Sequence, residues 1–214
     1  MPALEHRTDD QRTKRSQHEA AIFAACEALL QEGIPYSDLR IEQIATRAGI
    51  SRTAFYFYFR DKRELLLRLT DELADLLYKE AEGWWAGDGD SVAELEHALR
   101  SVVSLYADHG SLLRAVVEAS AYDAQVAQFW RELAGRFAEA TRSRIEKEQE
   151  LATVAPEIPA AETAFSLCWM TERSCYQHLV GGGDPRDEAF LAGLIGIWRR
   201  AIYGRVDQER RETL

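Results

Sequence analysis

Apolar residues recur along this chain at three- and four-residue steps, and glycine and proline punctuate them rather than pervade. From about Ser16, the residues Ile22, Phe23, Cys26, Leu29 and Leu30 make one stripe, which Gly33 stops. IEQIATRA, at 41–48, sets Ile41, Ile44, Ala45 and Ala48 on one side of a short helix. Gly49 then turns the chain. Ser51 suits the N-cap of a second short helix through Tyr58. Asp61, with Glu64 three residues on, has the form of a capping box and opens a long helix to about Trp85, closed by AGDGD. Further helices are expected over 91–108, 111–119, 123–151, 160–180 and 185–203. The loop ATVAPEIPA and the run Gly181-Gly182-Gly183 separate the last of these, and Gly204 ends the chain of helices. The gaps between breakers are rich in Ala, Leu, Glu and Arg, and no stretch keeps a strand's alternation. The fold class is all-α.

The unit at 41–58 has the spacing of a helix-turn-helix: two short helices joined tightly at Ala48-Gly49-Ile50. Gly49 suits a turn that needs positive φ. Such a unit lays its second helix in the major groove of DNA, with the N-terminal residues over base edges. The aromatics of GISRTAFYFYFRDKRELL sort accordingly. Phe55 and Phe59 lie four apart and point inward, while Tyr56 shares the opposite side with Arg52 and Thr53. Arg52 is the candidate for a base edge, because a guanidinium pairs bidentately with guanine. Thr53 suits a thymine methyl or a phosphate. Tyr56 and Tyr58 can pack a ring and offer a hydroxyl to phosphate. Lys62, in the first turn of the long helix, is placed for phosphate.

Composition narrows the rest. At 46% hydrophobic and 29% charged, the chain has the make-up of a soluble globular protein. No run of apolar residues is long enough to span a membrane, and the polar N-terminus lacks a secretory apolar core. Three cysteines without C-x-x-C spacing suit reduced thiols in a cytoplasm. The net charge of −10 argues against unspecific nucleic-acid binding by the whole chain, but it is uneven. Residues 1–70 carry +1 and residues 71–214 carry −11, a split compatible with DNA contact through the head alone and equally with no special role. Residues 1–15 read as a disordered tail whose Arg12, Lys14 and Arg15 either add phosphate contacts or stay mobile.

The stretch IEQIATRAGISRTAFYFYFRDKRELL resembles the DNA-binding signature of TetR-type repressors, in the pattern I-A-x-x-A-G-I-S-x-x-x-F-Y-x-Y-F-x-x-K-x-x-L. M-x-E-R (Met170, Glu172, Arg173) and I-W-x-x-x-I-Y-G (Ile197, Trp198, Ile202, Tyr203, Gly204) are similar to the EthR group of that family. The resemblance implies nine helices: a DNA-binding head over 16–62 and a ligand-binding and dimerisation body over 63–214. It implies a homodimer through the last two helices, a palindromic double-stranded DNA operator, a hydrophobic small-molecule effector, and neither enzymatic activity nor a cofactor. It adds Ser51 and Phe57 to the DNA face. Arg40 stands where the family usually has a capping Ser or Thr. Either Ser37 or Asp38 does that work, or Arg40 replaces the cap with a phosphate contact.

All five tryptophans lie in the body. Phe165, Trp169, Glu172 and Tyr176 share one helical stripe, and Trp130 and Phe137 lie seven apart on another helix, a lining suited to an apolar ligand. The resemblance places Val102, Tyr106, Trp130, Phe137, Cys168, Thr171, Tyr176 and Trp198 along an elongated tunnel, with Cys168 and Thr171 where EthR-like proteins have amides. Cys168, Glu172, Cys175 and His178 also share a face, but ten residues of helix rise roughly 15 Å, so four ligands cannot meet on one metal ion. No convergent acid–base or nucleophile set is evident. The expected function is a ligand-responsive repressor, the alternative a regulator or activator whose body is filled. The long helix 62–85 is the expected pivot between the two sites.

Overall fold

A computed structural model describes residues 3–184 and 187–204 of the chain. Among the described residues there are eight α-helices: α1 (Ala3–Gln31), α2 (Ile41–Arg47), α3 (Arg52–Phe55), α4 (Lys62–Ala86), α5 (Ser91–Ser120), α6 (Ala124–Glu150), α7 (Ala160–Val180) and α8 (Glu188–Tyr203). The all-helical architecture expected from the periodicity is present, with eight helices instead of nine. The stretches 91–108 and 111–119 form one helix, because apolar stripes continue on both sides of Gly110. The break shrinks to a kink at His109 (φ −116°, ψ 20°). Its Nδ1 lies 2.5 Å from Glu27 Oε1, tying the kink to α1.

Helix α1 is longer than expected. It begins at Ala3, so its backbone includes most of the stretch read as a disordered tail. Its second half carries the buried stripe of Ile22, Phe23, Cys26, Leu29 and Leu30. The polar first half propagates from that packed segment, which is cheaper than starting a helix anew. The side chains of Arg12 and Lys14 lie outside the described residues, and Arg15 pairs with Glu19 on its own helix at 3.4 Å.

Gly33 and Gly49 take the positive φ (87° and 71°) expected of them, ending α1 and turning the chain between α2 and α3. α3 stops at Phe55, sooner than expected, and a turn carries the chain to Tyr58. Asp61 Oδ1 accepts the N–H of Glu64 at 2.8 Å. Glu64 returns to the N–H of Arg60 instead of Asp61, so the expected box is offset by one residue. α8 starts at Glu188, later than expected, with Asp187 as its cap. α1–α3 and the start of α4 form the head. The rest of α4 packs with α5–α8 around a core that holds Trp84, Leu95, Val103, Leu133, Ile145 and Trp198.

Candidate functional site

Ser51 Oγ accepts the N–H of Ala54 at 3.0 Å, as an N-cap should. That start leaves Arg52, Thr53, Tyr56 and Phe57 exposed on one side of α3, Phe57 at 78%. Phe55 and Phe59 face the other way, fully buried with ring centroids 5.6 Å apart, and anchor the exposed face to the core. In the free protein Arg52 Nη1 sits 3.1 Å from Glu42 Oε1, and Nη2 donates to Tyr56 Oη at 3.5 Å. Both contacts are exposed and therefore weak, so the guanidinium is held extended but easily given up. Arg40 is exposed at the start of α2. Neither Ser37 nor Asp38 caps that helix, since Ser37 Oγ donates to Asp38 itself. Gln43 supplies the cap in reverse, its Oε1 accepting the Arg40 N–H at 2.9 Å.

Two expected DNA contacts are redirected. The Lys62 ammonium donates to the carbonyls of Tyr36, Ser37 and Leu39 at 2.6, 3.0 and 3.0 Å and lies over the Tyr36 ring. Its three donors are used, and it staples the 36–39 loop to α4 instead of reaching outward. Burial lowers its pKa, against the pull of Asp38 and Cys26. Lys62→Met is expected to cost about 1–3 kcal/mol of stability by stranding those carbonyls. In a mobility shift, the salt dependence of DNA binding by the folded variant should be unchanged, and a slope reduced by about one would restore the phosphate role. Tyr58 is half-buried and turns its hydroxyl to His18 Nδ1 on α1, 3.1 Å away.

Between α4, α5, α6, α7 and α8 lies a cavity of ≈ 110 Å³, far more than one water needs. Val102, Tyr106, Trp130, Phe137, Cys168, Thr171, Glu172 and Trp198 line it, all expected from the sequence. Most polar groups in the wall are satisfied within the fold. Thr70 Oγ1 donates to Leu66 O at 2.7 Å. Thr171 Oγ1 donates to Leu167 O and accepts from Trp198 Nε1 at 2.8 Å. Thr141 Oγ1 accepts from Trp85 Nε1 at 3.2 Å. Both carboxylate oxygens of Glu172 and Nε1 of Trp130 are buried without a hydrogen-bond partner. Burial raises the Glu172 pKa, opposed by Arg173 and by the nearby Trp130 indole. Burial also pushes the Cys168 thiol up to about 11 and Cys175 up to about 12. Both are thiols at neutral pH and poor nucleophiles.

Residues 22–69 match the family described as "Bacterial regulatory proteins, tetR family", and residues 95–204 match "Transcriptional regulator EthR, C-terminal domain". The chain is 32% identical over 201 residues to the HTH-type transcriptional regulator EthR of Mycolicibacterium smegmatis, covering 90% of this chain and 89% of that one. It is 31% identical over 198 residues to EthR of Mycobacterium tuberculosis, with 90% of each covered. The chain belongs to the TetR family, in its EthR group. It is a transcriptional regulator and not an enzyme. The fold agrees with that of the transcriptional regulator FadR from Bacillus subtilis, solved in complex with stearoyl-CoA, at a TM-score of 0.70. That pair is 13% identical, with 86% of this chain and 98% of the other covered, and the likeness is one of fold.

Two residues expected in the cavity of this TetR-family chain lie elsewhere. Trp169 packs at a tilt against exposed Phe165, ring centroids 6.3 Å apart, and Tyr176 sits under the Arg173 guanidinium at 5.1 Å, both on the outer side of α7. Glu172 stands at the border of that stripe and turns inward. His178 Nε2 bonds Asp184 O at 2.7 Å and its ring stacks on Phe190, away from Cys168 and Glu172. Among the described residues, no three His, Cys, Asp or Glu side chains gather as metal ligands, and no helix is long and apolar enough to cross a membrane. Sequence reading missed the α4 wall of the cavity (Leu73, Ala74, Leu77 and Ala81) and Thr141 on α6. It also missed Glu42, the partner of Arg52. An acidic residue on the otherwise basic side of the turn was the signal.

The buried carboxyl has a pH signature. The folded pKa of Glu172 lies above its unfolded value near 4.5. The native state therefore holds the extra proton between the two values, and the stability it contributes, full below about 4.5, is lost as pH rises through the folded value. Glu172→Gln, which cannot ionise, is expected to gain on wild type in thermal midpoint from about pH 4 to about pH 7. A gap constant across that range would contradict this.

Proposed function

We propose that this regulator is a repressor that binds a palindromic operator as a homodimer and leaves it when a hydrophobic small molecule occupies the body. The observation that carries the reading is one helix with two duties. α4 begins at Lys62, which holds the 36–39 loop of the head, and its later residues Leu73, Leu77 and Trp84 wall the cavity. An occupant that spreads this wall tilts the helix and with it the head. DNA then weakens the effector as much as the effector weakens DNA. Arg63, in the first turn of α4, fixes the start of that helix against α6 through Asp123 Oδ2 at 2.6 Å and Gln125 Oε1 at 2.5 Å. On the DNA side the reading uses Arg40, Ser51, Arg52, Thr53, Tyr56 and Phe57. The head is taken as 16–62 and the body as 63–214, in a protein of the cytoplasm, where the DNA is.

The outer faces of α7 and α8 support the dimer. Phe165 and Ile197 are 58% and 46% exposed, Trp169 and Tyr176 lie on the same side as Phe165, and Gly193 leaves room for a close helix crossing. Twofold pairing sets two recognition helices roughly 34–36 Å apart, or a multiple, to match half-sites. The cavity favours an effector over the filled body of a ligand-independent regulator. The test is selection of binding sites from random duplex DNA by the full chain, then titration at fixed salt. Enrichment of an inverted repeat bound by one or more dimers is expected. Enrichment of a single unrepeated half-site, or of nothing, would sink the repressor reading.

A further inference from the structure

Glu172 and Trp130 are cavity-wall residues whose buried polar atoms the fold leaves short of partners. Both oxygens of Glu172 and the indole N–H of Trp130 are buried without a well-formed hydrogen bond, the indole lying near enough to the carboxyl to oppose the rise in its pKa but not to satisfy it. Arg173 approaches Oε2 from the outer side of α7 and stops at 3.6 Å, beyond a hydrogen bond, leaving Oε1 without any cation. Tyr106 and Cys175 are the next neighbours. Burial raises both of their pKa values, and the Glu172 charge adds to each. A carboxylate set among aromatic rings costs stability in the empty protein. A ligand that brings the missing donors recovers that cost on binding, and one that does not leaves the charge stranded.

We propose that the cavity takes a ligand with an apolar body and a protonated aliphatic amine, the ammonium donating to Glu172 beside the rings of Tyr106 and Trp130. This rests on the cavity being the effector site. An ammonium has three donors, enough for both carboxylate oxygens, and is drawn to aromatic faces in a dry site. A fatty carboxylate would set like charge against like charge. A neutral carbonyl compound would satisfy Trp130 and leave Glu172 bare. A bare metal ion would find one carboxylate and no further oxygen cage. Cys168 and Thr171 do not compete for the head group. The Thr171 hydroxyl is used by Leu167 and Trp198, and Cys168 lies 3.7 Å from the Thr141 hydroxyl.

The test compares three probes of one chain length, n-octylamine, 1-octanol and octanoate, titrated calorimetrically at neutral pH into the full chain and into Glu172→Gln. Wild type should bind the amine about 10–100-fold more tightly than the alcohol, and octanoate least. Glu172→Gln should lose that preference while keeping its affinity for octanol, which also reports an intact cavity. The amine alone should release wild type from its selected DNA site. If octanol or octanoate binds wild type as tightly as the amine and releases DNA, the amine assignment falls and the effector site stands. If Glu172→Gln keeps the amine preference, the assignment falls as well. If none of the three binds, both fall.

Discussion

Replacing Arg144 by alanine is expected to cost the folded chain about 3–5 kcal/mol. For a chain of this length that lowers the thermal midpoint by roughly 6–20 °C. Arg144 and Glu148 are 3% and 2% exposed, with Nε and Oε1 2.5 Å apart, so Glu148 keeps its charge in the core through Arg144, which also lies 3.5 Å from Glu94 Oε2. Arg144 spends its remaining donors on the carbonyl of Gly87, where α4 ends, and on Ser91 Oγ at 3.0 Å, where α5 begins. Glu148 Oε1 also accepts from Tyr203 Oη at 3.1 Å, and that hydroxyl accepts from Trp84 Nε1 at 3.2 Å. One buried network thus joins α4, α5, α6 and the end of α8. Removing Arg144 leaves Glu148 charged with no counter-ion. Removing both charges leaves no buried ion stranded, only the Gly87 carbonyl and the Ser91 and Tyr203 hydroxyls short of a partner, so Arg144→Met with Glu148→Leu should recover part of the loss. Calorimetric unfolding of the single and double variants decides it. A single variant within about 1 kcal/mol of wild type would mean that water enters and solvates the stranded carboxylate.

The head was legible because its signals are local. A positive-φ glycine, two N-caps and an i,i+4 aromatic pair each act within one turn of helix, and Gly49, Ser51, Asp61 and the Phe55–Phe59 pair stand as expected. What the side chains do at longer range was not legible. Nothing in the order of residues shows that Lys62 is 2.6 Å from a carbonyl 26 residues earlier. The body was half legible for a related reason. α7 is apolar on two faces, with Leu167, Cys168 and Thr171 turned inward and Phe165 and Trp169 turned out. Periodicity finds both stripes without telling which meets a cavity, and Glu172 lies where they join. Trp169 and Tyr176 fell on the wrong side of that line. The α4 wall escaped because Leu73, Leu77 and Ala81 have the spacing of any core-facing helix, and an empty volume leaves no mark in the sequence.

In the proposed homodimer, with Arg52 on a base edge, Arg52→Ala is expected to weaken operator binding roughly 100-fold or more, since each lost base-edge contact costs about 5–150-fold and two would be lost. Glu42→Gln should act in the opposite direction. In the free protein Glu42 holds Arg52 at 3.1 Å, so binding DNA first breaks a pair that DNA cannot use, and then brings a carboxylate towards phosphate. Neutralising Glu42 removes both costs and should tighten binding severalfold on every duplex, specific or not, because the gain is electrostatic. The pair is broken on any duplex that Arg52 contacts, so both affinities rise and the ratio of operator to random-duplex affinity should not fall in Glu42→Gln. In Arg52→Ala the substitution at Glu42 should change little beyond the general charge effect. Equal effects of Glu42→Gln with and without Arg52 would show that Glu42 acts on DNA directly and not through the arginine.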